Sequence, residues 1–568
     1  MILNLKLYPI ISSSFSVLFF CSAILGLTIN LPDAEGQQNQ TKLVFTRSGL
    51  VVELKPKLVE SVVISINGLV VEPTISSQRK HKTIFCLSPY DWQLGQIYHL
   101  EIRRKSSGHL VTKQTTTSPA KPTPYLFDYL RLKQIWSLLP RDCRITTVDL
   151  AKDQLSIGTN KGHVAVWDLS IRSVIWKKRF SESIIKQVNL SPDGQQIYIS
   201  EQSSDAWLSC YSLDDHDELS WRYRLANDVE TSKPSSPSSQ WSWLELPTAT
   251  KFQWINGDLL VAATHVWPNK QGTNVRSQLY RFDSASGQIK WKFPADNPLP
   301  VLVRWFDISV DRLAFVCDKQ SVGKQYDSAG IRSGSIVILN ASDGQILFQK
   351  AFKPLEPYYK TVTFWRGVSI TPNGKSVNIT TDDGRAFLLR ETDNEWREIW
   401  QTDLTTPIVV NQMPITATAG TVLATDKLSL FVTGDTFIPY HLQAGVSRPP
   451  MSHPNGMTLF AYQWNGQLAW QWELGNMPQG IKIENEYIVV ASSDYGEAGT
   501  NETKQNALTV FDLQKNGTVV DKHAFTYRLS GQIPYDQIDI SKQWIVCVET
   551  TSRSATKVEG KNQIHIIR

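Results

Sequence analysis

"NGQLAWQWEL" at 465–474 places a turn pair, Asn465-Gly466, ahead of a short strand that carries Trp470 and Trp472. The same build recurs as "SGQIKWKFP" at 286–294, "DGQILFQKAF" at 343–352 and "IRSVIWKKRF" at 171–180. A turn, an apolar strand and an aromatic side chain, written repeatedly, mark a repeat architecture. Each copy closes a longer unit of four strands. Over 144–180 these are "RITTVDL", "QLSIGT", "HVAVWDL" and "SVIWKKRF". The next unit reads "IKQVNL", "QQIYIS", "WLSCYSL" and "LSWRYRL". Its tight first turn, Pro192-Asp193-Gly194, returns as Pro372-Asn373-Gly374. Capped stretches of helical period are nearly absent.

Third strands recur at 163–169, 207–213, 278–284, 334–340, 384–391, 457–463, 507–513 and 562–568, eight in all. A fourth strand follows only seven of them, because the last third strand ends at Arg568. The missing strand is expected at the other end of the repeat region, as "LKQIWSL" at 132–138. The expected fold is therefore all-β, an eight-bladed β-propeller over 128–568 closed by strands from its two ends. Such closure leaves no open edge between first and last blades. The aromatic residue of each fourth strand is expected to dock between neighbouring blades, at Trp136, Trp176, Trp221, Trp291, Phe348, Trp400 and Trp470, with Asp521 breaking the pattern in the seventh unit. Each such ring buries on the order of 200 Å², worth roughly 5 kcal/mol before entropy is charged.

"FDSASGQIKW" spaces Asp283, Gly287 and Trp291 four and four. This resembles the tryptophan-docking repeat of the quinoprotein (PQQ-dependent alcohol dehydrogenase-like) propellers. "WDLSIRSVIW" keeps Asp168 and Trp176 but has Arg172 for the glycine; "LNASDGQILF" keeps Gly344 between Asn340 and Phe348. The resemblance lies in repeat and blade count, and it implies PQQ, calcium and an aspartate base. Enzymes of that kind typically carry an adjacent Cys-Cys pair, which this chain lacks, as it lacks a C-x-x-C-H haem motif. The expectation is a non-catalytic member with no cofactor; the alternative is a divergent quinoprotein dehydrogenase using PQQ with calcium. Trp167-Asp168 also resembles the dipeptide of WD-repeat proteins, but it occurs once.

Ahead of the repeats, residues 41–115 read as a small β-sandwich. "SVVISINGLVV" at 61–71 is a hairpin around Asn67-Gly68, and "LGQIYHLEIRR" at 94–104 alternates apolar and polar residues. Leu94-Gly95 ahead of Tyr98 resembles the tyrosine-corner region of fibronectin-type and immunoglobulin-like domains. "TTTSPAKPTP" at 115–124 gives a stiff linker over 116–127. Residues 7–29 carry no charge, with Lys6 before them and Asp33 and Glu35 after. Residues 1–36 are thus a signal peptide or a membrane anchor, and either places the rest outside the cytoplasm. Leu18-Phe19-Phe20 before Cys21 lack the small residues of a lipoprotein signal. The outer-membrane assembly propeller lipoproteins, which resemble the expected shape, carry such a signal.

Composition narrows the classes further. With 41% hydrophobic and 20% charged residues the chain is globular. Net charge is +5 and dispersed, so the short clusters "RRK" (103–105) and "WKKR" (176–179) read as solvated strand faces and no nucleic acid is expected. Cys317 and Cys547 sit in apolar runs and read as buried thiols. No G-x-S-x-G, H-E-x-x-H or phosphate-binding glycine loop is present.

Loops between second and third strands are long at 265–277, 318–333, 435–456, 494–506 and 550–561, and short in the first, second and fifth units. In a propeller these loops share one face with the connections between units, including "DVETSKPSSPSSQ" at 228–240. That face is the expected binding surface, with His265, Trp267, Tyr326, Asp327, Tyr440, His441, Asp494 and Tyr495 as candidate contacts. The expected partner is another protein or a cell-surface polymer, with membrane contact through the N-terminal segment if uncleaved.

Overall fold

The computed structural model describes residues 40–568 apart from internal segments, the longest being 232–245, 319–333, 438–452, 494–505 and 514–523. The chain divides into two units. The first holds two four-stranded antiparallel sheets. One runs in the order Gln40–Thr46, Gly49–Lys55, Lys82–Leu87, Ile75–Arg79, and the other Leu69–Val71, Val62–Ile66, Ile97–Arg104, Leu110–Thr117. Tyr98, Leu100 and Ile102 are buried while Ile97, His99 and Arg103 face out, the period-two alternation read from the sequence.

In the second unit, eight sheets of four or five strands follow one another among the described residues. Their first strands, in chain order, are Ile145–Ala151, Ile184–Leu190, Thr248–Ile255, Leu302–Ser309, Val368–Ile370, Met413–Ala424, Pro478–Glu484 and Ile538–Ile540. Each sheet is an antiparallel meander. Middle strands such as Gln196–Gln202 are covered on both faces, whereas in a fourth strand such as Ser173–Arg179 only Trp176 is buried. The first strand of each sheet lies against the first strand of the next, and Ile538–Ile540 lies against Ile145–Ala151. Sheets that succeed one another in a ring with their first strands innermost form a β-propeller.

The closing strand differs from expectation. Gln563–Ile567 pairs antiparallel with Leu126–Leu130, in the register Ile564↔Leu130 and His565↔Tyr129. Residues 132–138 form no strand: Leu132–Ile135 is a turn of helix, at whose start the Arg131 N–H donates to Gln134 Oε1. Leu, Lys and Gln favour helix, and the segment has no β-branched alternation to oppose it. Trp136 therefore leaves the docking series and packs against the His163 ring, centroids 5.0 Å apart. Its role falls to Phe127, fully buried, edge-on to Trp544 at 5.0 Å. Two other segments also depart from the reading. Residues 265–277 are not a loop: Asp258–Asn269 and Gly272–Asp283 pair without a break from Asp258↔Asp283 to Asn269↔Gly272. The sixth sheet gains a fifth strand, Ile408–Val410, on the start of Met413–Ala424.

The repeated turn and the repeated aromatic prove to be two halves of one contact. Asp283 Oδ1 accepts the Ser286 N–H at 2.9 Å and holds the turn, in which Gly287 takes φ +70°. A Cβ on Gly287 would lie 2.7 Å from Cε3 of Trp221, which belongs to the preceding sheet. The Trp221 indole N–H donates to the Ser284 carbonyl at 2.7 Å. Trp291 repeats this against Gly344 and the Ala341 carbonyl (2.9 Å), and Trp400 lies against Gly466. Where Arg172 replaces the glycine, it keeps φ +58°, pairs with Asp128 of the closing strand and covers the Phe127 ring. Trp176 is buried against Tyr211, Phe348 packs on the core cluster that holds Trp396 and Phe352, and Trp470 stacks on Phe511. Asp521 lies outside the described residues.

Candidate functional site

Innermost strands of a ring leave a channel along its axis, and their side chains decide its chemistry. Here each first strand presents a residue at one level, set between two residues that pack into the sheets. In order these are Asp149, Asn189, Gln253, Asp307, Ser369, Leu423, Lys482 and Asp539. Several reach across to the next strand's backbone. Asp539 Oδ2 accepts the Leu150 N–H (2.8 Å), Asp149 Oδ2 that of Leu190 (2.8 Å), Asp307 Oδ2 that of Ile370 (2.9 Å) and Ser369 Oγ that of Ala424 (3.0 Å). Side chains join the same circuit: Asn189 donates to Asp149 at 2.8 Å and Gln253 to Asp307 at 2.7 Å. These bonds satisfy backbone donors that no sheet neighbour can reach, and they tie each sheet to the next. The bond from Leu150 to Asp539 joins the last sheet to the first.

On the side where first strands begin, the channel opens into a cavity of about 610 Å³. Thr250, Lys251, Arg304, Trp305, Trp365, Arg366, Lys482, Tyr535 and Asp536 are among its walls. Asp536 pairs with Arg366, and its Oδ1 stands 3.9 Å from Lys482 Nζ, which is also 3.8 Å from Asp539. Burial works against the Asp536 carboxylate, but the Arg366 and Lys482 cations prevail and hold it below the usual range. Burial and the nearby Asp539 push the Asp149 carboxyl up to about 7. Burial lowers the Lys251 ammonium to about 7. Lys251 Nζ donates to the Phe306 carbonyl and lies 4.0 Å from the Trp305 ring centre. The Arg366 guanidinium stands 4.4 Å from that same centre and 4.3 Å from that of Tyr535. A second cavity, of about 660 Å³, opens where first strands end, among turn residues such as Lys152, Pro192 and Lys542.

Of the contact residues proposed from sequence, His265 and Trp267 are described, and neither is a wall of these cavities. His265 is fully buried on its strand, donates from Nδ1 to the Val229 carbonyl at 3.0 Å, and stacks on Trp267 at 4.2 Å. Its partners make it a packing residue rather than a surface contact. Tyr326, Asp327, Tyr440, His441, Asp494 and Tyr495 lie outside the described residues, as does the apolar stretch 7–29. The five cysteines described are buried. Among the described residues no three acidic, histidine or cysteine side chains meet closely enough to hold a metal ion. Of the channel carboxylates, Asp149 and Asp539 accept backbone N–H groups and Asp536 pairs with Arg366.

No protein-family model matches the chain, and no curated protein sequence does. Among solved structures, BamB from Moraxella catarrhalis is similar at 10% identity and a TM-score of 0.45, covering 78% of this chain and 100% of that one. Sqt1 of Saccharomyces cerevisiae is similar at 10% identity and 0.41, over 74% of this chain and 95% of that one. The Cps50 (Swd1) β-propeller domain of Myceliophteria thermophila follows at 12% and 0.39, over 78% and 99%. At such identities nothing of those proteins' chemistry carries over to this chain.

Proposed function

We propose that the eight sheets are the blades of one closed propeller, and that the protein is a non-catalytic scaffold binding a protein partner through one end of it. The observation that carries this reading is where the additions sit. In an antiparallel meander, connections from second to third strands and from one sheet to the next leave at the same end. The long hairpin tip around Trp267, the extra hairpin Ile408–Ile415, the ribbon of Ser552–Arg553 with Val558–Glu559, and the short helix Ala226–Val229 all leave there. At the opposite end the described connections are tight turns, such as Asn256-Gly257 and Pro192-Asp193-Gly194. Loops held by a rigid frame and concentrated on one face make a recognition surface. Trp365 and Tyr535 add aromatic side chains, 50% and 41% exposed, at the mouth of the channel on that side.

The reading extends to export: the charge-free run 7–29, with Lys6 ahead and acidic residues behind, supports a signal or anchor that carries the propeller out of the cytoplasm. The test places a photo-crosslinking amino acid at Trp267 in one full-length variant and at Asn256 in another, in the producing cell. The expected result is a discrete crosslinked protein from position 267 and none from 256. Equal yields from both ends, or none from 267, would remove the loop-end assignment.

A further inference from the structure

We propose that the loop-end cavity of the channel binds a carboxylate, held by the Lys251 ammonium and the Arg366 guanidinium beside the Trp305 ring. Arg304 is neutralised by Asp318, and Arg366 and Lys482 share Asp536 and Asp539. Lys251 has only a carbonyl and an aromatic face, and among the described residues no carboxylate forms an ion pair with it. The groups that face it are Asp307 on the following blade and Lys482, Arg366 and Asp536 across the channel, with Lys186 on the preceding blade lining the same cavity. Asp307 is already engaged by Gln253, Ser369 and the Ile370 N–H.

A second observation points to the same place. Arg366 is buried, and its Nε–H has no acceptor among the described residues. A buried donor without a partner costs free energy and leaves this guanidinium short of acceptors, and a ligand oxygen that enters beside it offsets part of that cost. Lys251 thus offers an ammonium that no carboxylate among the described residues touches, with Lys186 on the same wall, and such a site suits an anion. A carboxylate brings one charge to that ammonium, whereas a doubly charged phosphate brings a second that must also be desolvated. Trp365 and Tyr535, ring centres 6.4 Å apart, offer an apolar wall for the body that carries the carboxylate. The cavity volume suits a small molecule or one side chain of a peptide. The inference stands on the channel alone and does not require the loop end to bind a protein.

Two carboxylate probes separate the sources: 3-phenylpropionate as a free acid, and the blocked peptide acetyl-Leu-Glu-Leu-amide as a peptide-borne one. Calorimetric titration of the full chain is compared with Lys251→Met, which keeps the stem and removes the charge, and with Lys178→Met on an outer strand as a control. Expected is binding of at least one probe, weakened about tenfold or more in Lys251→Met and unchanged in Lys178→Met. Binding favours the charged amine, so affinity falls on the order of tenfold between pH 7.5 and 8.5. Binding of the peptide alone assigns the site to a partner's acidic residue; binding of the free acid assigns it to a small organic acid. Failure of both probes at millimolar concentration, or equal affinity in folded Lys251→Met, overturns the proposal. So does inorganic phosphate binding with the same lysine dependence while neither carboxylate binds.

Discussion

Gly287 and Gly257 take nearly the same backbone angle, φ +70° and +80°, yet differ in what a methyl group would meet. At Gly257 there is nothing within 4 Å; at Gly287 the methyl would strike the Trp221 ring. Alanine at either position carries the left-handed penalty of about 1–2 kcal/mol. Only Gly287→Ala also forces an indole out of a packed inter-blade site, adding roughly 1–3 kcal/mol. Gly287→Ala should therefore unfold at clearly lower urea than Gly257→Ala, with the difference removed in a Trp221→Ala background. Equal midpoints for the two alanine variants would mean that the turn glycine serves the turn alone. The same contact explains why Asp, Gly and Trp recur at fixed spacing: the aspartate holds the turn, the glycine clears the site, and the tryptophan fills the next one.

At the scale of elements, the stitches between first strands bind them to pH. Asp149 accepts the Leu190 N–H and lies near Asp539, and its carboxyl is held near 7 against about 4 in an unfolded chain. The folded state thus holds this proton more tightly than the unfolded state. Stability from this group is complete at acidic pH and is lost as pH rises through 7. Asp149→Asn keeps an oxygen for Leu190 and carries no charge. Thermal melting at pH 5 and pH 8 should show a smaller loss at pH 8 in the variant than in the wild type, by roughly 1 kcal/mol after allowance for water in the channel. An unchanged pH profile in the variant would place the titration elsewhere. The stitch left a trace in the sequence: a polar residue between two apolar ones in Val148-Asp149-Leu150, Val188-Asn189-Leu190, Phe306-Asp307-Ile308 and Ile538-Asp539-Ile540. Strand repeats were legible because each blade is local and its period is written in turns and aromatics. The channel was not, because Lys251, Trp305, Arg366 and Asp536 come from separate blades and meet only once the ring exists. The closing strand was misplaced because Ile135-Trp136 imitates the end of a blade, whereas Phe127 does its packing from a five-residue strand with no turn motif ahead of it.

For the propeller as a whole, the decisive feature is that strands more than four hundred residues apart complete one sheet. Leu126–Leu130 covers Gln563–Ile567, which would otherwise expose a row of unpaired N–H and C=O groups on an apolar edge. The closing strand also brings Phe127 onto Trp544 and Asp128 onto Arg172, so it links the last sheet to the turn before the fourth strand of the first. Removing residues 124–131 takes away both the edge cover and this link. Such a chain should associate through its open edge, shifting from monomer to dimer or larger species in sedimentation. A synthetic peptide of 124–131 added in trans should pair with the edge and restore the monomer, because strand addition supplies the same main-chain bonds. The same peptide with Phe127→Ala should do so less well, since a buried phenyl is worth roughly 3–5 kcal/mol. A monomeric deletion variant with native melting behaviour would show that the ring does not depend on this strand and is held closed by its innermost strands alone.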